Sequence, residues 1–161
     1  MKLAETVVAL AISSEIKITC AESCTGGMIS AALTGIAGSS VIFEQGFVTY
    51  SNAAKTKMLG VSLLTLQEHG AVSEPVVAEM AKGALRTTRA DIAISVSGIA
   101  GPGGSEFKPE GRVCFGLVSS FGIQCETVEF GPLGRSKVRK AATDHALELI
   151  LLFLKKPIMC A

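Results

Sequence analysis

The chain has 161 residues, a length at which one domain buries a core without disulfide or metal staples. Hydrophobic residues make up 48% of it and charged residues only 18%, which excludes intrinsic disorder. A formal net charge of +1, one tyrosine and no tryptophan supply neither the field nor the stacking surface of a nucleic-acid-binding protein.

Leu3, Val7, Leu10 and Ala11 recur at helical spacing, so residues 2–14 read as an amphipathic helix. Glu5 interrupts the apolar run that a secretory leader needs, and no A-x-A-like site precedes the first strand. Residues 16–21 form a short buried strand, 22–27 a polar turn, and 28–36 a helix that Gly38-Ser39-Ser40 ends. Residues 43–50 read as a strand. Ser51-Asn52 then signals a helix start, with Asn52 as the cap, before a helix over 53–59. Ser73-Glu74-Pro75 opens the next helix, with Val77, Met80, Ala81, Ala84 and Leu85 inward. Residues 91–97 are a buried strand and 97–111 a glycine-proline loop. Residues 112–120 and 123–130 form a hairpin around Phe121-Gly122. The last helix spans about 134–155, with Val138, Ala142, His145, Leu149 and Leu152 inward. Its richest run, 147–154, is broken by Glu148 and falls short of the roughly 18 apolar residues that cross a bilayer.

Helices thus flank five strands in mixed order. The expected fold is α/β: a three-layer α/β/α sandwich with a mixed sheet of about five strands, one domain over residues 1–161. Cys20, Cys24, Cys114, Cys125 and Cys160 are odd in number and scattered, with no CxxC pair. They read as reduced thiols in a cytoplasmic protein, and no cluster has metal-ligand spacing.

Two strand ends carry candidate chemistry. Ala21-Glu22-Ser23-Cys24-Thr25-Gly26-Gly27 joins a buried strand to a helix, and ligands of open α/β sheets sit at such strand ends. The amides of Cys24, Thr25, Gly26 and Gly27 are the orphan donors of that helix, suited to a phosphate or to the oxyanion of acyl transfer. The plainer alternative is a helix capped by Ser23 or Thr25. A serine nucleophile needs a base. His69 reads as a helix-end or loop residue and His145 as a core-stripe residue, so a lysine is the better candidate. Lys55 lies in the first turn of its helix, where the dipole and burial both lower an ammonium pKa. Lys57 reads as solvated. The loop from Ser97 and Gly98 to Ser105 offers a backbone-rich wall, but matches neither a P-loop nor a dinucleotide fingerprint. Tyr50 can stack on a flat ring, and Arg135 and Arg139 can hold an anion.

These motifs carry a resemblance. AESCTGG, AGSSVIFEQGFVTYSNAAKTKMLGV, HGAVSEPVVAEMAKGAL and ADIAISVSGIAGPGG, in this order, resemble the CinA C-terminal domain and the nicotinamide mononucleotide deamidase family over about residues 2–155. The resemblance implies a three-layer α/β/α amidohydrolase that converts nicotinamide mononucleotide to nicotinic acid mononucleotide and ammonia. It puts the nucleophile at Ser23 and the general base at Lys55. It puts Ser40, Tyr50, Ser51, Asn52, Ser97 and Gly98 in the substrate pocket and one arginine on the phosphate; Arg135 and Arg139 both fit that place. It requires no cofactor and no metal. The expected partners are the small-molecule substrate and a second copy in a homodimer, with no nucleic acid and no membrane. The loop Gly101–Ser105 is one residue shorter than the family commonly carries, which bears on substrate fit or release. Many relatives also carry a larger N-terminal domain, and this chain resembles the stand-alone form. Two rival readings are an amidase for another small amide and a non-catalytic regulatory module linked to competence or DNA damage.

Overall fold

The structure, a computed structural model, describes residues 2–105 and 107–156. Cys160 lies outside the described residues. In chain order the elements are α1 (Lys2–Ser13), β1 (Ile18–Glu22), α2 (Met28–Thr34), a 3-10 turn (Ser39–Val41), β2 (Phe43–Val48), α3 (Asn52–Leu59), α4 (Leu63–His69), α5 (Glu74–Thr87), β3 (Ile92–Gly98), β4 (Arg112–Ser119), β5 (Gly122–Glu129) and α6 (Arg135–Lys155). The sheet order is β2-β1-β3-β4-β5. β1 pairs in parallel with β2 and β3, and the β4–β5 hairpin adds antiparallel to β3. This is the expected three-layer sandwich with a mixed sheet.

Strand alternation builds the two outer layers. On β3, Ile92, Ile94 and Val96 face α1, α2 and α6, where they join Val7, Ile29, Leu33, Val138 and Ile150. Ala93 faces the other way, toward Val76, Val77 and Met80 of α5. That second face is built from small residues, so α5 lies close against the sheet. Ser95 Oγ donates to Val77 O at 2.6 Å, and a Cβ on Gly116 would come within 2.8 Å of the same oxygen.

The same alternation sorts the end of β1. Cys20 belongs to the α2 side and Ala21 to the α5 side. Glu22 therefore turns under α2, while Ser23 emerges on the side of α3.

Several local expectations shift. Ser51, not Asn52, caps α3: its Oγ accepts from Ala54 N at 3.1 Å. Ser73 makes no side-chain cap, because its Oγ donates back to Gly70 O. α4 escapes the sequence pattern because only Leu66 is buried in it, while Leu63 and Leu64 face solvent. Leu152 is 60% exposed and is not an inward residue of α6; Ile150 and Leu154 take the core side. His145 is half-buried, held by Glu126 and packed on the Phe115 and Phe130 rings.

The α3–α5 contact depends on one glycine. A Cβ on Gly83 would lie 2.0 Å from Leu59 O, the last residue of α3. Gly83→Ala must push α3 away, and the overpacking is expected to cost about 1–3 kcal/mol. The denaturation midpoint should fall accordingly, while exposed Lys82→Ala beside it leaves the midpoint in place. An unchanged midpoint for Gly83→Ala would show that α3 is not pinned there.

Candidate active site

The C-terminal ends of β1 and β3 and the start of α3 meet at one cleft of about 320 Å³, within the size range of small-molecule sites. Ser23 reaches it from β1. Its N–H donates to Val96 O at 2.9 Å, which fixes the residue to the neighbouring strand. Lys55 is the fourth residue of α3. Helical side chains lean toward the N-terminus, and this one runs back to the segment that leads into its own helix. Lys55 Nζ lies 2.8 Å from Thr49 O, 3.2 Å from Tyr50 O and 3.0 Å from Ser23 Oγ.

This set of three suits both charge states of the amine. An ammonium donates to all three oxygens. A neutral amine donates to the two carbonyls and presents its lone pair to the Ser23 O–H. Only 1% of Lys55 is exposed, and no carboxylate pairs with it among the described residues. Burial pushes its ammonium down from the ordinary value to about 8. Cys24, next to the serine, moves the opposite way. Burial raises its thiol to about 12, so it stays protonated and a poor nucleophile.

The turn after Ser23 departs from the expected row of four free amides. Glu22 is fully buried, and its carboxylate takes the helix N-terminus: Gly27 N at 3.0 Å, Ile29 N at 3.1 Å and Ser30 N at 2.8 Å. Thr25 Oγ1 and Ser30 Oγ donate to it as well. The Gly26 amide closes the turn on Ser23 O. Gly26 and Gly27 are therefore not orphan donors. Among the described residues, only the amides of Cys24 and Thr25 have no carbonyl or carboxylate partner in this turn. Glu22 is the residue that sequence reasoning missed. A carboxylate ending a buried strand just before a helix start was the available signal.

The remaining candidates divide. Cys24, Tyr50, Ser97, Gly98 and Arg135 line the cleft together with Ser23 and Lys55. Arg135 donates to Tyr50 Oη at 2.6 Å and to Gly101 O at 2.8 Å, across the cleft mouth. Thr25, Gly26 and Gly27 lie behind the wall, and Ser40 is exposed on the 3-10 turn away from it. Ser51 is occupied as a cap and Asn52 faces solvent at the start of α3. Arg139 also lies off the cleft wall, bonded to Cys24 O and Thr25 O. Two further residues fix the glycine loop. Lys108 Nζ donates to His69 O and Val72 O, and the Glu110 carboxylate accepts from Gly103 N and Gly134 N. Neither histidine side chain lines the cleft.

A sequence model of the CinA C-terminal domain matches residues 1–154. The chain belongs to that family. It is 63% identical over 135 residues to the nicotinamide-nucleotide amidohydrolase PncC of Enterobacter agglomerans, covering 83% of this chain and 82% of that one. It is 55% identical over 134 residues to the protein of the same name from Escherichia coli strain K12, covering 83% and 81%. Among solved structures, the competence/damage inducible protein CihA from Agrobacterium tumefaciens superposes with a TM-score of 0.90 at 44% identity, covering 95% of this chain and 93% of that one.

The lowered Lys55 value is directly measurable. With ¹³C-labelled lysine, the Lys55 Cε resonance, assigned by its loss in Lys55→Met, is expected to titrate with a midpoint of about 8. A midpoint near the ordinary lysine value of about 10.4 would mean that the amine is solvated.

Proposed function

We propose that this chain hydrolyses the carboxamide of nicotinamide mononucleotide, giving nicotinic acid mononucleotide and ammonia. The observation that carries the reading is the buried contact between Ser23 Oγ and Lys55 Nζ, with no carboxylate among the described residues to keep the lysine charged. The nicotinamide-nucleotide amidohydrolase activity for which the PncC relatives are named supports the substrate.

The reaction divides into two acyl transfers. Neutral Lys55 takes the Ser23 hydroxyl proton as Ser23 Oγ attacks the carboxamide carbon. The free amide of Cys24, on the cleft wall beside Ser23, holds the oxyanion; a well-placed donor is worth about 3–4 kcal/mol. The tetrahedral adduct collapses, the C–N bond breaks, and the Lys55 ammonium gives its proton to the departing nitrogen, which leaves as ammonia. Lys55 is then neutral again and activates a water. The water cleaves the ester, restores the Ser23 hydroxyl and leaves the carboxylate on the ring. Tyr50 lies along the flat pyridine ring, and Arg135 takes the 5′-phosphate in place of its present bonds to Tyr50 and Gly101.

The deciding experiment is ammonia release from nicotinamide mononucleotide by the purified protein. Turnover is expected, and Ser23→Ala should lower it by about 10³-fold or more without loss of fold. Since the base must be unprotonated, kcat/KM should rise with pH through about 8 and fall away below it. Lys55→Arg keeps the charge but cannot deprotonate, so it should be as inactive as Lys55→Ala. Release from other small amides but not from the mononucleotide would reassign the substrate. A folded Ser23→Ala protein with near wild-type turnover would sink the covalent mechanism.

The phosphate handle has its own measurement. The dephosphorylated riboside should be turned over much less efficiently than the nucleotide. Arg135→Ala should raise KM for the nucleotide and close most of that gap. Equal use of both substrates by the wild type would remove Arg135 from this role.

A further inference from the structure

We infer that Arg139 is a positioning residue of the reaction: it fixes the turn that carries Ser23 and the Cys24 amide, and does not bind the substrate's phosphate. This rests on the serine-nucleophile reading above. α6 carries two arginines one turn apart, and they go to different places. Arg135 reaches the cleft mouth. Arg139, half-buried, donates from Nε to Cys24 O at 3.0 Å and from Nη2 to Thr25 O at 2.9 Å. Among the described residues no carboxylate pairs with it. A guanidinium fork matches a carboxylate or phosphate. Here it is spent on two consecutive backbone carbonyls of the turn that carries Ser23.

A trans peptide points its C=O and its N–H to opposite sides. Holding Cys24 O toward α6 therefore turns the Thr25 N–H, in the same peptide plane, away from α6. A cation on that carbonyl also polarises the peptide and makes its N–H a stronger donor. The other amides of the turn are already committed: Ser23 to Val96 O, Gly26 to Ser23 O and Gly27 to Glu22. Arg139 thus grips the stretch whose amides are still free. Gly26 makes room for it. Its φ is +60°, and a Cβ there would come within 3.2 Å of Arg139 Nη2. Glu22 holds the turn by its donors and Arg139 holds it by its acceptors.

The full chain carries the test, with Arg139→Met and Arg139→Lys. Four quantities are read: kcat and KM for nicotinamide mononucleotide, the preference over the riboside, and the rate at which phenylmethanesulfonyl fluoride sulfonylates Ser23, followed by mass. Arg139→Met is expected to lower kcat by about 10–100-fold, the usual scale for an outer-shell partner. KM and the phosphate preference should stay within about twofold of wild type, since uniform binding is untouched. Sulfonylation of Ser23 should slow in parallel, and added guanidinium ion at millimolar concentration should restore part of both rates. Arg139→Lys keeps the charge and one donor, so its loss should be smaller. It carries the test if the methionine variant does not fold. Lys137→Ala, exposed on the same helix, should match wild type. A raised KM with lost phosphate preference in Arg139→Met would make Arg139 a phosphate ligand and overturn the inference. So would unchanged kcat and unchanged labelling. If the wild type releases no ammonia from the nucleotide yet Arg139→Met still slows Ser23 labelling, the substrate reading fails and the positioning role stands.

Discussion

A carboxylate with no exposed surface survives in a protein interior only if its oxygens are fully occupied by donors. A helix N-terminus has the complementary need, since its first amides lack partners. Glu22 and the start of α2 answer each other: three amides and two hydroxyls converge on one carboxylate. The geometry at this end of the sheet follows from that contact. It fixes where α2 begins relative to β1 and holds the connecting turn to the five residues 23–27. It also leaves Ser23, one peptide further on, facing the opposite layer. Neighbouring residues on a strand are ordinarily sorted into core and solvent. Here the alternation gives one residue to architecture and the next to chemistry.

Lys55 carries the opposite energetic sign. A shift from 10.5 to about 8 means that the charged folded form is disfavoured at neutral pH by on the order of 3 kcal/mol relative to the unfolded chain. A sequence selected for stability alone would put an apolar residue at this position. The surrounding packing offsets the cost. Ala93, Ser95 and Gly116 let α5 approach the sheet, and Gly83 lets α3 settle on α5. The amine is then held between Thr49, Tyr50 and Ser23 with little freedom to reach water.

The layers and strands were legible in the sequence because they follow from alternation and from helical spacing, both local properties. The pairing of Ser23 with Lys55 was legible by elimination, since a serine at a strand end had no well-placed histidine. What stayed hidden depended on contacts between distant segments. Glu22 is the exception: its partners from Thr25 to Ser30 are close in sequence, and a carboxylate between a buried strand and a helix start is a local mark of such a cap. Ser51 and Asn52 are both cap formers, and only the backbone decides between them. Arg135 and Arg139 sit on one helix face with the same chemistry. Which carbonyls each one meets is set by Gly101 and by Cys24 and Thr25, residues far away in the chain. Ser40 belonged to the pocket by resemblance alone, and on this chain it lies apart from the cleft.

The sheet has two unlike ends. Ser23, Ser97 and the glycine loop gather at one of them, where β1 and β3 finish and β4 begins. The β4–β5 turn at Ser120-Phe121 lies at the other, separated by the eight residues of β4, about 25 Å of strand. Phe121 is exposed there. A dye, an affinity handle or a solid support attached through that turn would leave the cleft open to the solution. Immobilised in this orientation, the molecule would present its site outward, with the whole length of the sheet between the tether and the incoming ligand.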